Sequence, residues 1–134
     1  MCSSDLIKTA RIAARRPPDQ TGVVDAGLCH GAVGNAHFFN RMFQTTGDDR
    51  LREAAIVWYG RALDMRRPGQ GIGGFSCWDK GPEGKWEWTD DPGLLGGAAG
   101  IGLGLLAATC SIEPEWDRIL LPSPPRRWGS TRRP

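Results

Sequence analysis

The sequence predicts an all-α chain built from helix pairs, with one long glycine- and tryptophan-rich segment or small hairpin between pairs. Apolar residues recur at helical spacing in two consecutive stretches, first at Ala32, Ala36, Phe39 and Phe43, then at Leu51, Ala55, Trp58, Ala62 and Met65. A glycine-rich octapeptide also occurs twice. Gly27-Leu28-Cys29-His30-Gly31-Ala32-Val33-Gly34 agrees with Gly93-Leu94-Leu95-Gly96-Gly97-Ala98-Ala99-Gly100 at five of eight positions, 66 residues further on. Each copy stands at the entrance to a predicted helix. The repeated unit is therefore an inner helix, an outer helix and a return loop, and such units assemble as a ring or stack. Two copies cannot close a ring, so the chain reads as part of a larger one.

Each element has its own signal. Asp5 to Arg16 keeps a narrow apolar face at Leu6, Ala10, Ala13 and Ala14, and Pro17-Pro18 ends it. A loop follows to Leu28. The second helix spans 31–46 and stops at Gly47. Asp48 or Asp49 caps a third helix, 50–66, which Pro68 closes. The short Thr46-Gly47-Asp48 link makes the second and third helices an antiparallel hairpin. Residues 69–92 form the long loop, where Lys85 to Thr89 alternates like a strand. The fourth helix is read over 94–110, with Asp91-Pro92 starting it. Glu113 to Leu121 adds a last turn.

Composition excludes several classes. Hydrophobic residues make up 40% and charged residues 24%, as in a folded globular chain. Of 19 glycines, twelve fall between Gly69 and Gly104. The net charge of +2 comes from a proline-rich tail, 122–134, which holds four arginines and no acid. That tail reads as disordered. Without it the acids outnumber the bases, which argues against a nucleic-acid partner. No window of 18 apolar residues exists for a membrane span, and no signal peptide is visible. The cytoplasm is the expected location, and the four cysteines there are expected as thiols or ligands rather than disulfides.

Cys29 and His30 are the candidate metal ligands. Zinc motifs usually space paired ligands by two to four residues, but adjacent ones can share an ion where the backbone turns at a helix entrance. Leu28-Cys29-His30-Gly31-Ala32-Val33-Gly34, followed by Asp91-Pro92-Gly93-Leu94-Leu95-Gly96-Gly97-Ala98-Ala99-Gly100-Ile101-Gly102-Leu103, resembles the lanthionine synthetase C-like family of lanthipeptide cyclases. That family carries a Cys-His-Gly-x-x-Gly motif and, later, a Leu-x-Gly-x-Ala-Gly-Ile-x-Leu helix start, in this order.

The resemblance implies an (α/α) toroid of seven helix pairs, of which residues 7–121 would form the C-terminal part. It implies a zinc ion held by two cysteines and a histidine, with Cys29 and His30 as the second cysteine and the histidine. It implies addition of a peptide cysteine thiol to dehydroalanine or dehydrobutyrine, giving a thioether. The partner is then a dehydrated precursor peptide, with a dehydratase either separate or fused. The third ligand, an upstream cysteine, has no match here, and neither do the family's catalytic residues, so the chain alone is expected to be inactive. Residues 1–6 read as a non-native leader, since Cys-Ser-Ser-Asp-Leu is what a common sequencing-adapter end encodes.

The other candidates are weighed as structural. His37 reads as a packing histidine, Cys77 and Cys110 as core thiols, and Trp86 and Trp88 as a plug between loops. Two rival readings remain open. One is a toroid glycosidase, with Asp90 or Asp91 as acid and base and the tryptophans as a sugar platform. The other is a non-catalytic helical-repeat binding module.

Overall fold

The computed structural model describes residues 3–110 and 113–120. Cys2 and the expected tail, 122–134, lie outside the described residues. The elements are α1 (Ser3–Ala14), α2 (Ala32–Thr46), α3 (Asp49–Asp64), β1 (Cys77–Lys80), β2 (Trp86–Thr89) and α4 (Ala98–Thr109). Short 3-10 turns stand at Pro18–Gln20 and Glu115–Ile119. The all-α reading with a small hairpin holds. Residues 3–6, read as leader, are part of α1.

The predicted stripes are the core. Ala32, Ala36 and Phe39 of α2 meet Leu51, Ala55, Trp58 and Ala62 of α3, all buried, and Phe43 and Met65 pack half-buried at the ends. These two helices form the most extensive packing in the chain. Gly47 caps α2 with φ 70°, and Asp48 caps α3 by accepting a hydrogen bond from the Arg50 backbone N–H at 3.1 Å. Asp48 also receives Arg11 of α1 at 2.6 Å, which fastens α1 beside α3. Tyr59 of α3 donates to the Gly104 carbonyl of α4 at 3.1 Å.

The internal repeat is a structural repeat, and it begins two residues earlier than the matched octapeptides. Asp25 Oδ1 accepts from Gly27 N at 2.9 Å, and Asp91 Oδ1 accepts from Gly93 N at 2.6 Å. The carbonyl of Asp25 then takes the Ala32 N–H at 2.9 Å, as that of Asp91 takes the Ala98 N–H at 2.8 Å. Gly31 and Gly97, the residues before α2 and α4, share one conformation, with φ −97°, ψ −170° and φ −98°, ψ −173°. In this way backbone carbonyls of the turn satisfy the first free N–H groups of each helix, and no side chain is needed as a cap.

This corrects the reading of α4. The helix begins at Ala98, not Leu94, because residues 93–97 are spent on the turn. Asp91 does not cap it, but folds the turn that precedes it. The apolar run hid this, since a turn closed by its own backbone leaves no capping side chain in the sequence.

The last glycine of each repeat is a contact requirement. A Cβ on Gly34 would collide with the Leu28 carbonyl, and one on Gly100 with the Leu94 carbonyl. Gly60 and Gly102 are also helical, yet a Cβ there would meet nothing within 4 Å. Opposite outcomes follow. Gly34→Ala and Gly100→Ala should each destabilise by about 1–3 kcal/mol through overpacking. Gly60→Ala and Gly102→Ala should stabilise by about 0.5–1 kcal/mol through helix propensity. Urea midpoints of the four variants check both signs.

Candidate functional site

The two turns pack against each other at the N-terminal ends of α2 and α4. The Leu95 carbonyl accepts from both Leu28 N, at 2.9 Å, and Cys29 N, at 2.8 Å. The backbone of Cys29 is thereby fixed by the partner turn. Its side chain is exposed, and so is that of His30, at 60%. Both line a cleft of about 330 Å³ together with Asn35, Phe38, Leu95 and Leu120. The structure therefore brings the two predicted ligands into one opening at a helix entrance.

Asp25 lies beneath them, its side chain fully buried. Oδ1 holds the Gly27 N–H, while Oδ2 accepts from the Trp78 N–H at 3.1 Å and stands 3.9 Å from both Cys77 Sγ and His30 Nε2. One carboxylate thus ties the Cys29-His30 turn to the root of the β-hairpin. Sequence reasoning passed over Asp25. The signal was present, because Asp25 and Asp91 are themselves 66 residues apart.

Cys77 is structural, as read. It is 3% exposed and packs against Gly96, and burial followed by the charge of Asp25 pushes its thiol up to about 11. Cys110 departs from expectation: it terminates α4 in extended conformation and is exposed, not packed. Among the described residues no group of three or more His, Cys, Asp or Glu side chains is placed to hold a metal. Cys29 and His30 are thus two donors without a third.

The acids of the glycosidase reading do not form a pair. Asp91 is committed to Gly93 N, and Asp90 faces Ser76 Oγ at 3.4 Å. Trp86 and Trp88 are not a plug. They are 56% and 57% exposed on the outer face of the hairpin.

His37 is 3% exposed, in the wall of the same cleft. Its Nε2 pairs with Asp117 Oδ2 at 3.0 Å, and Trp116 stacks on the ring at 4.9 Å. Arg41 Nε joins the same carboxylate oxygen at 2.8 Å and reaches Glu113 at 3.2 Å with its outer nitrogen. This network fastens the 113–120 segment onto α2 and places Leu120 at the cleft.

The class these features define is a helical-hairpin array whose inner helices start from one repeated glycine turn, with a thiol and an imidazole presented by one copy. The chain belongs to the lanthionine synthetase C-like family, whose model, described as lanthionine synthetase C-like protein, matches residues 3–121. A search of curated proteins and a search of solved structures found no match to the chain. Among the described residues no helix is long and apolar enough to cross a membrane.

The His37 network has a pH signature. Burial lowers the imidazole below its ordinary 6.5, outweighing the hydrogen bond and charge of Asp117, and Arg41 pushes the same way as burial. The neutral ring is favoured in the folded state, so unfolding takes up a proton. Stability should therefore be present above pH 6.5 and decline as pH falls below it. Urea midpoints measured from pH 7 to 5 should drop, and His37→Gln should flatten that slope while lowering stability throughout.

Proposed function

We propose that this chain supplies two zinc ligands, Cys29 and His30, to a cyclase that adds a peptide cysteine thiol to a dehydroalanine or dehydrobutyrine of the same peptide. The observation that carries this reading is the placement of an exposed thiol and an exposed imidazole in one cleft, on a turn whose backbone is held from both sides. Thiolate and imidazole are the donor types that zinc prefers, and Cys29 and His30 would be two of the three protein ligands of an open catalytic site. When bound, zinc would hold the substrate thiol as a thiolate near neutral pH. The third ligand comes from outside the described residues.

The chain's own residues have definable tasks. The Leu95 carbonyl fixes the backbone of Cys29. Asp25 holds the turn that carries His30 by accepting from the Gly27 N–H, and its second oxygen stands 3.9 Å from Nε2 of His30. Leu28, Phe38, Leu95 and Leu120 line the cleft with apolar surface. In the overall reaction the thiol loses its proton, sulfur bonds to the β-carbon of the dehydro residue, the carbon–carbon double bond opens, and the α-carbon gains a proton. No residue here is assigned to that protonation.

The work is done in a larger protein, with the dehydratase as a separate partner or a fused domain, in the cytoplasm. The apolar surface supports this. Leu106 of α4 and Ile56, Val57 and Leu63 of α3 are more than half exposed, as expected of faces that further helix pairs cover. The glycosidase reading is weakened by the commitment of Asp91 to its turn.

Cobalt(II) titration of the 134-residue chain should give weak binding with a thiolate-to-metal absorption band. Cys29→Ala should abolish the band, whereas His30→Ala should weaken it. In the full-length parent, mass spectrometry of free thiols on a dehydrated peptide should show cyclisation lost with Cys29→Ala and reduced with His30→Ala. The chain alone should not cyclise. A parent carrying Cys29→Ala that still cyclises at the normal rate would sink the assignment.

A further inference from the structure

We propose that the hollow between α1 and α3 is a docking site for an acidic peptide segment that carries apolar residues between its carboxylates. The hollow measures about 400 Å³ and shares no residue with the Cys29-His30 cleft. Ala54 and Trp58 of α3, both buried, form its floor, and the half-exposed Val57 lies at its edge. Four arginines border it. Arg11, Arg15 and Arg16 come from the end of α1, and Arg50 comes from the start of α3. A single carboxylate, that of Glu53, borders it with them.

Charge gives the sign of the occupant. Arg11 is paired with Asp48 at 2.6 Å, and Asp49 is paired with Arg52 at 3.3 Å. Among the described residues Arg15, Arg16 and Arg50 have no ion-pair partner, and all three are exposed. Three unpaired guanidinium groups therefore outweigh Glu53 around the hollow. Arg15 and Arg16 follow the C-terminal end of α1, where a cation suits the helix dipole. Arg50 has no such reason, because it stands in the first turn of α3, where the dipole favours an acid. A carboxylate lodged in the hollow meets guanidinium groups from both ends, each able to hold it by two parallel N–H groups.

Spacing favours a peptide over a compact anion. Arg50, Ala54, Val57 and Arg61 follow one another at four, three and four residues, so they share one face of α3. Arg61 continues the row one turn beyond Val57, and its buried Nε has no acceptor. At 1.5 Å per residue, Arg50 and Arg61 stand about 16 Å apart along the helix. The residues between them on that face, Ala54 and Val57, are apolar. An ion the size of phosphate can meet only one end of this row. A segment with carboxylates towards both ends and apolar residues between them matches all of it, and it takes the apolar edge out of water. The inference goes beyond the cyclase reading and does not depend on it.

Fluorescence anisotropy of a labelled synthetic peptide of glutamate, alanine and leucine, titrated with the 134-residue chain, tests it. The comparisons are the same peptide with lysine in place of glutamate, and inorganic phosphate as competitor. The glutamate peptide should bind, more weakly as salt rises, and the lysine peptide should not. Phosphate should displace the glutamate peptide no better than chloride at equal ionic strength. The double change Arg15→Gln/Arg16→Gln should weaken binding at least about tenfold. Both side chains are exposed, so helical circular dichroism should be unchanged. Arg50→Gln should weaken binding as well and leave α3 no less stable, since it removes a cation from the first turn. Lys80→Gln/Lys85→Gln takes the same charge from the hairpin and should leave the affinity unchanged. Equal binding of the lysine peptide, full affinity in the arginine double variant, an equal loss in the lysine double variant, or specific displacement by phosphate would overturn the proposal.

Discussion

A single buried carboxylate, that of Asp25, joins the parts of this molecule that matter for function. Burying a carboxylate is costly unless its oxygens are well satisfied. Asp25 meets that condition with two backbone N–H groups from segments more than fifty residues apart, Gly27 in its own turn and Trp78 at the root of the hairpin. The turn cannot relax without releasing the hairpin, and the reverse also holds. Asp91 performs the local half of this task in the second turn, and among the described residues it has no long-range partner to match.

The two turns show how a site is added to a repeated scaffold. Their hydrogen bonds, glycine conformations and close contacts coincide nearly atom for atom. The residues that build the turn are the shared ones: the aspartate, the glycines and the leucine. Of the three positions that differ, two carry Cys29 and His30 in one copy and Leu95 and Gly96 in the other. The plain copy serves the other one, because the Leu95 carbonyl anchors the Cys29 backbone and the missing side chain of Gly96 makes room for Cys77. Chemistry occupies the positions that the fold leaves free.

Much of this was legible in the sequence for physical reasons. Helical spacing identified α2 and α3 and their core face, because burial of a stripe is what stabilises such helices. Gly47 and the two prolines marked ends through backbone restrictions that no packing overrides. The candidate ligands were found as an adjacent Cys-His pair at a helix entrance, in a motif that resembles the family's. What escaped depends on distance or on backbone alone. The start of α4 was misplaced because the turn before it is capped by carbonyls. The tie between His37 and Asp117 spans 80 residues, and no local pattern announces it. The tryptophans were read as a plug from their hydrophobicity, whereas the register of the hairpin turns them outward.

The most direct test of this account is native-state amide hydrogen exchange in Asp25→Ala, set beside Asp91→Ala. If Asp25 joins the turn to the hairpin, its removal should lower protection of both the Gly27 and Trp78 amides by at least about tenfold, the loss of about 1.4 kcal/mol of local stability. Asp91→Ala should affect Gly93 and leave Trp78 protected. A Trp78 amide as well protected in Asp25→Ala as in the unmodified chain would show that the hairpin stands without this carboxylate, and would contradict the account.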